Sequence, residues 1–202
     1  MCGIFGGVGA DTKEVRACLE NILRGNDGIT VEQHGSVVLG GRRHLVKVSD
    51  KPGVPAGHSD QPYHSDDGTV HLVFNGELYN FAELRDEMIG RGRAFDTVGD
   101  TEVFLGLYER DGEAFLENRG IDSMFSLAIH DENSNKLIVS RDWPGRIPLF
   151  YYYDKGEGRF LFSSELKGFA PLQWMDLNKP IELKPGHLLI LDLETFELGM
   201  EP

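Results

Sequence analysis

The chain has 202 residues, which suits one domain with a substantial hydrophobic core. Its 33 acidic and 20 basic residues give a formal net charge of −13. That charge argues against nucleic acid or an anionic membrane surface as the main partner, because both repel an anionic protein.

The chain begins with an apolar, glycine-rich segment, for which we predict a strand over residues 3–8. The segment has no basic region and charged residues soon interrupt it, so we expect neither a signal peptide nor a membrane span here. A helix is predicted over residues 12–24, with Asp11 and Glu14 as its capping box and Gly25 as its stop signal.

Two further helices are predicted over residues 81–91, with Asn80 as cap, and over residues 101–110, opened by Asp100. The other predicted strands cover residues 36–40, 69–74, 123–130, 136–141, 148–153, 159–163 and 187–192. Strands and helices do not alternate regularly, which argues against a doubly wound sheet. We therefore predict an α+β fold of largely antiparallel sheets layered between helices.

The segment 49–67 is rich in Pro, Gly, Ser, His and Asp and is predicted to be a long surface loop. His58, His64 and His71 lie in or near it, without an accompanying cysteine pair. We interpret them as parts of a solvated loop and predict no metal site.

Cys2 is the first candidate catalytic residue. Removal of Met1 before a small residue would leave a cysteine with a free α-amine, whose ordinary pKa is about 7.7–8.0, next to a thiol near about 8.5. One residue would then supply both a nucleophile and a base. Position alone favours the alternative, an incidental cysteine at a frayed terminus.

Cys18, the other cysteine, falls on the apolar face of the first helix and is interpreted as an inert core thiol. Two cysteines are too few for a disulfide framework, so a reduced, cytoplasmic protein is expected.

Asn75 and Gly76 follow an apolar strand. The Asn side-chain amide and the Gly backbone N–H could stabilise an oxyanion during acyl transfer from an amide. An Asn-Gly pair on its own is more often a simple turn.

Several charged residues could hold a free amino acid. Arg43 or its neighbour Arg42 could bind an α-carboxylate, and Asp100 and Glu77 could bind an α-ammonium group. The alternatives are a helix cap for Asp100 and a solvated surface pair for the two arginines.

Seven short blocks occur in order along the chain. They are Met-Cys-Gly-Ile-Phe-Gly at 1–6, Leu-Arg-Gly-Asn-Asp-Gly at 23–28, Gln-Pro at 61–62, Val-Phe-Asn-Gly-Glu-Leu-Tyr-Asn at 73–80, Gly-Asp-Thr-Glu-Val at 99–103, Arg-Asp-Trp-Pro-Gly-Arg-Ile-Pro-Leu at 141–149 and Phe-Ser-Ser-Glu-Leu-Lys at 162–167. Together they resemble the glutaminase domain of glutamine-dependent asparagine synthetases, within the class II glutamine amidotransferases. The resemblance extends to about Gly186.

The resemblance implies an N-terminal-nucleophile hydrolase fold, with four αββα layers and two largely antiparallel sheets. It implies that Cys2 is the nucleophile, that its own amine is the general base, and that Asn75 and Gly76 form the oxyanion hole. It also implies glutamine binding, by Arg43 at the carboxylate and by Glu77 and Asp100 at the amino group.

The implied reaction releases ammonia from the glutamine side chain and leaves a glutamyl thioester, which water hydrolyses; no cofactor is expected. In the family, the ammonia passes to an ATP-dependent synthetase domain. Residues 1–202 are predicted to form a single amidotransferase domain, with the synthetase portion on a separate partner or missing from this chain.

The chain departs from the family pattern at two places. Near residue 25, Ile22, Leu23 and Asn26 replace the usual residues, and the segment from Arg43 to Asp50 is altered and followed by extra residues. Two alternatives to the glutaminase therefore stay open: a catalytically silent module with an assembly or regulatory role, and a related hydrolase that acts on another amide. The ammonia acceptor and the oligomeric state do not follow from the sequence.

Overall fold

The structure, a computed structural model, describes residues 1–44, 61–117 and 120–202. Its α-helices are α1 (Thr12–Asn21), α2 (Phe81–Gly90) and α3 (Asp100–Asp111). Its strands are β1 (Gly3–Val8), β2 (Gly28–His34), β3 (Val37–Arg43), β4 (Tyr63–His64), β5 (Val70–Leu78), β6 (Ser123–Asp131), β7 (Lys136–Arg141), β8 (Phe150–Asp154), β9 (Arg159–Ser163), β10 (Ile181–Glu182), β11 (Leu188–Asp192) and β12 (Leu198–Glu201). Short 3-10 helices cover Gly112–Glu117 and Leu166–Phe169.

The strands form two sheets. The first has the order β10-β8-β9-β1-β3-β2 and the second β12-β11-β7-β6-β5-β4. Neighbouring strands pair in the antiparallel direction in both. β1 is a central strand, and a Cβ atom at Gly7 would lie 2.0 Å from the Phe160 carbonyl oxygen of β9. The lack of a side chain at Gly7 therefore allows the backbones of β1 and β9 to approach closely.

Three apolar clusters separate four layers. One cluster joins α1 to the outer face of the first sheet and includes Cys18 and Phe5. A second, including Ile4 and Val73, lies between the sheets. The third packs α2 and α3 on the second sheet, around Phe104. The predicted α+β arrangement of helices outside two antiparallel sheets is confirmed.

The helix predictions are correct in position but not in every cap. Asp11 accepts hydrogen bonds from the backbone N–H groups of Lys13 and Glu14, as the capping box predicts. α1 ends at Asn21, before the predicted stop, because Ile22 adopts an extended conformation. Asn80 makes no side-chain cap on α2. Its Oδ1 instead accepts from Asp122 N at 3.0 Å, which ties the start of α2 to the start of β6.

The strand predictions are too short at β5 and omit β2, β4, β10 and β12. β5 continues through Asn75 and Gly76 to Leu78, so the Asn-Gly pair is strand rather than turn. Most of the predicted loop lies in residues 45–60, outside the described residues, but its end includes β4. No α-helix in the described residues is long and apolar enough to cross a membrane.

Candidate active site

A cavity of about 330 Å³ opens where the N-terminal end of β1, the end of β3, the end of β5 and the start of α3 meet. It is lined by Met1, Cys2, Arg43, His44, Gln61, Phe74, Gly76, Glu77, Phe81, Val98, Gly99, Asp100, Thr101 and Met124. The volume lies in the range of small-molecule sites, about 300–1,000 Å³. Five of the six predicted site residues therefore line one cavity; Asn75 does not.

Cys2 is half-buried at this cavity, and its Sγ accepts a hydrogen bond from the backbone N–H of His44 at 3.4 Å. Burial raises the pKa of the Cys2 thiol, while the His44 N–H, the N-terminal amine and Arg43 act in the opposite direction. Met1 lines the same cavity, and the peptide bond between Met1 and Cys2 occupies the Cys2 nitrogen. A free amine on Cys2 therefore requires removal of Met1. The other cysteine, Cys18, is fully buried, and burial raises the pKa of its thiol to about 12. Both observations agree with the interpretation of Cys18 as an inert core thiol.

The two adjacent arginines have different surroundings. Arg42 reaches beneath the end of α1, where its Nη1 donates to the carbonyls of Leu19 at 3.1 Å and Glu20 at 2.8 Å. Its guanidinium also donates to the carbonyls of Gly25 and Ile22. The carbonyls of Glu20 and Ile22 belong to the helix end, where backbone acceptors lack partners within the helix, and Gly25 lies in the turn that follows. Side chains alternate along a strand, so Arg43 faces the cavity instead.

The two acidic residues stand on neighbouring elements. Asp100 lies in the first turn of α3, whose N-cap is Gly99, and its Oδ2 accepts from the backbone N–H of Leu78 at 3.1 Å. Burial raises the pKa of Asp100. Partial burial, and then the charge of Asp100, raise the pKa of Glu77. Two carboxylates that resist ionisation together favour a cation between them.

Gly76 and Asn75 occupy opposite faces of β5. A Cβ atom at Gly76 would lie 2.1 Å from the Met124 carbonyl oxygen, so only glycine fits beside β6. Asn75 is fully buried between the sheets, with its Nδ2 3.5 Å from Ser164 Oγ. Its Oδ1 has no hydrogen-bond partner among the described residues. The oxyanion role of Asn75 stays a prediction, since its side chain does not line the cavity.

Gln61 and His44 are cavity residues that were not among the predicted site residues. Gln61 Oε1 accepts from the backbone N–H of Phe74 at 2.7 Å, which fixes its side chain against β5. Gln61 belongs to one of the seven sequence blocks, and that block was the available signal. His44 lies in the altered segment after Arg43, where the sequence departs from the family pattern and therefore did not indicate a site residue.

Asp100→Asn is expected to keep or raise stability at neutral pH. Because the folded-state pKa of Asp100 is raised, its ionisation opposes folding, and this penalty disappears as the pH falls below the ordinary aspartate value of about 4. The amide oxygen can still accept from Leu78 N. Thermal unfolding of both proteins between pH 4 and 8 tests this. A variant that is clearly less stable than the wild type at pH 7 and equal at pH 4 would contradict it.

Comparison with known proteins identifies the family of the chain that forms this cavity. Residues 1–189 match the family model described as the glutamine amidotransferase domain. The chain belongs to this family. It is a class II glutamine amidotransferase domain, like the glutaminase portion of asparagine synthetases.

Two curated relatives illustrate the likeness. The "Asparagine synthetase [glutamine-hydrolyzing]" of Sandersonia aurantiaca is 33% identical over 213 residues, which covers 100% of this chain and 37% of the relative. Asparagine synthetase B of Escherichia coli is 31% identical over 179 residues, covering 85% of this chain and 30% of the relative. This glutamine amidotransferase domain thus spans about a third of the curated relatives it matches.

Solved structures show the same fold. The glutamine phosphoribosylpyrophosphate amidotransferase of Bacillus subtilis superposes with a TM-score of 0.77 at 20% identity, covering 99% of this chain and 49% of that one. The N-terminal-nucleophile hydrolase arrangement expected for the amidotransferase domain is confirmed by this likeness and by the four layers.

Proposed function

We propose that this domain hydrolyses the side-chain amide of L-glutamine to glutamate and ammonia, with Cys2 as the nucleophile after Met1 is removed. Residues 1–202 would act as a single amidotransferase unit. The observation that carries the proposal is the shared cavity: the Cys2 thiol lies in one small pocket with a cation, Arg43, and two carboxylates, Glu77 and Asp100. A free amino acid carries the complementary charges.

The Cys2 thiol would attack the side-chain carbonyl carbon, and the Cys2 amine would take the thiol proton. The amine would pass that proton to the amide nitrogen, so that collapse of the tetrahedral intermediate releases ammonia and leaves a glutamyl thioester. Water would then cleave the thioester and release glutamate. The backbone N–H of Gly76, which lies at the cavity, is the oxyanion donor best supported by position. Asn75 would serve only if its amide turned away from Ser164.

The ammonia would serve an asparagine synthetase-like reaction on a partner or on a further domain. This proposal rests on the curated relatives, whose names describe glutamine-hydrolysing asparagine synthetases. The competing proposal is a silent module that keeps the fold for assembly or regulation. The retained Cys2 and charged cavity residues favour the enzyme.

The deciding experiment compares two forms that differ at the Cys2 nitrogen. The chain is produced behind an N-terminal fusion whose protease leaves Cys2 as the first residue, and glutamate release from glutamine is measured before and after cleavage. Cleavage is expected to switch the activity on, because only the cleaved form has the amine base. Mass spectrometry confirms the new N-terminus.

The outcomes are distinct. Equal activity before and after cleavage would disprove the role of the Cys2 amine. A folded, cleaved protein without activity would support the silent module, once the assay is repeated with an ATP-dependent synthetase partner. Activity on other side-chain amides but not on glutamine would indicate the related-hydrolase alternative.

A further inference from the structure

Four histidines that are distant in sequence meet at the end of the two sheets opposite the cavity. His64 on β4, His71 on β5 and His130 on β6 lie directly opposite one another in the strand register. Directly opposed residues of antiparallel strands point to the same face, so the three imidazoles form a row. His34, at the end of β2 in the other sheet, stacks on His71 with ring centroids 3.5 Å apart.

The hydrogen bonds within this histidine cluster leave a proton shared between two rings. His71 Nε2 lies 3.2 Å from Glu132 Oε1, and an ionised carboxylate only accepts, so this nitrogen carries the ring proton. Nδ1 of His71 then has a lone pair, and it lies 2.8 Å from Nδ1 of His64. His64 Nε2 also faces a carboxylate, Glu32, at 3.2 Å. The two Nδ1 atoms therefore face each other as acceptors unless a proton or a metal ion lies between them.

We propose that His34, His64 and His71 bind one divalent transition-metal ion of the Zn²⁺ class. The ion would take the place of the proton between His64 and His71. The donor atoms of the three histidines all lie within 4.8 Å of one another. Imidazole nitrogens are ligands that Zn²⁺ prefers, and a water molecule would complete the set, because Glu32 contacts the Nε2 atoms of His34 and His64 rather than the Nδ1 side of His64.

The surroundings support a metal rather than a protonated cluster. His71 is only 2% exposed, so the packing around it holds its imidazole in one position. Glu132 on His71 Nε2 matches the carboxylate that orients a metal-binding imidazole from behind. Glu32 and Glu132 together would offset the charge of a divalent ion.

The geometry requires two adjustments. The rings of His34 and His71 are stacked with nearly parallel planes, so His34 must turn before the lone pairs of both rings can point at one ion. Two Zn²⁺ ligands at about 2.0–2.1 Å in a tetrahedron lie about 3.3 Å apart, so the His64 and His71 nitrogens must separate by about half an ångström. His64 is 37% exposed at the side chain and can move by this amount. His71 and Asn75 are separated by roughly 13 Å along β5, so the ion would link the two sheets rather than take part at the cavity.

The interpretation of His64 as part of a solvated loop is wrong, because His64 is on β4, which pairs with β5. His71 is on β5, within the strand predicted over residues 69–74. His58 lies outside the described residues. The other cluster members, His34 and His130, are far away in sequence and were not considered.

The test uses the full chain, freed of metal by a chelator that is then removed. Zn²⁺ titration by calorimetry should show one ion per chain, and Zn²⁺ should raise the unfolding temperature. The double variant His34→Gln/His64→Gln should bind at least about 100-fold more weakly, since loss of even an outer partner costs 10–100-fold. His187→Gln, a histidine elsewhere in the fold, is the matched control and should bind like the wild type. Co²⁺ should give the visible absorption of a tetrahedral nitrogen-ligated ion.

Three results would overturn the proposal: no saturable one-to-one binding, equal affinity in the double variant, or loss of binding in Cys2→Ala, which would place Zn²⁺ on the thiol. His130→Gln gives a further check, because His71, His130 and Glu132 form a second group of close donors. Loss of binding in His130→Gln with full binding in the double variant would move the ion to that side of His71. Circular dichroism confirms that each variant is folded.

Discussion

Replacing Cys2 by alanine is expected to lower glutamine hydrolysis by about ten-thousand-fold or more, because the thioester cannot form without the thiol. Alanine is small, so Met1 should still be removed and the N-terminal amine kept. The substitution therefore isolates the thiol from the base. Glutamate release under saturating glutamine measures the effect.

Cys18→Ala is the control for this experiment. Cys18 is fully buried on the inner face of α1, so the loss of its thiol should reduce stability through the missing side-chain volume and leave kcat close to the wild-type value. Residual activity in Cys2→Ala within tenfold of the wild type would remove Cys2 from the mechanism.

Arg43→Ala is expected to lower kcat/KM for glutamine by about 10- to 100-fold, mainly through KM. A hydrogen-bonded ion pair with a carboxylate contributes about 1.5–3 kcal/mol, and the loss would affect ground state and transition state alike. Arg43→Lys should recover only part of the affinity, because an ammonium group cannot make the bidentate contact. Steady-state kinetics with glutamine distinguish these results.

Arg42→Ala is the matched variant and should behave in the opposite way. Its guanidinium satisfies carbonyls at the end of α1, so we expect a loss of about 2 kcal/mol in unfolding free energy and a fall in unfolding temperature of about 4–8 °C. KM for glutamine should change little in the folded protein. A large rise in KM for Arg42→Ala, with none for Arg43→Ala, would reverse the assignment.

Local signals predicted the parts of the fold that depend on neighbours in sequence. The Asp11–Glu14 capping box is one such case, because both hydrogen bonds form within a single turn. β2 was missed because it is an edge strand of mostly half-exposed residues without clear alternation. The Asn75-Gly76 pair was weighed as a turn, but pairing with β6 overrides that preference.

The sequence also predicted most of the residues that line the candidate site. Cys2, Arg43, Gly76, Glu77 and Asp100 line one cavity, as their blocks suggested, although their roles remain predictions. The choice between Arg42 and Arg43 needed the contact with α1, which joins residues about 20 positions apart. The full histidine cluster could not be predicted, because His130 and His34 join His64 and His71 only when strands distant in sequence pair and the two sheets pack.

The contact between Arg42 and α1 also bears on the register in which β3 pairs with its neighbouring strands. Side chains on a strand alternate between faces, so a slip of one residue would exchange the surroundings of Arg42 and Arg43. A slipped strand would place a cation at the cavity one position early and leave the α1 carbonyls without their donor. The hydrogen bonds from Arg42 to the carbonyls at the end of α1 therefore help to set the register of β3. They do so on the face of the strand that points away from the cavity.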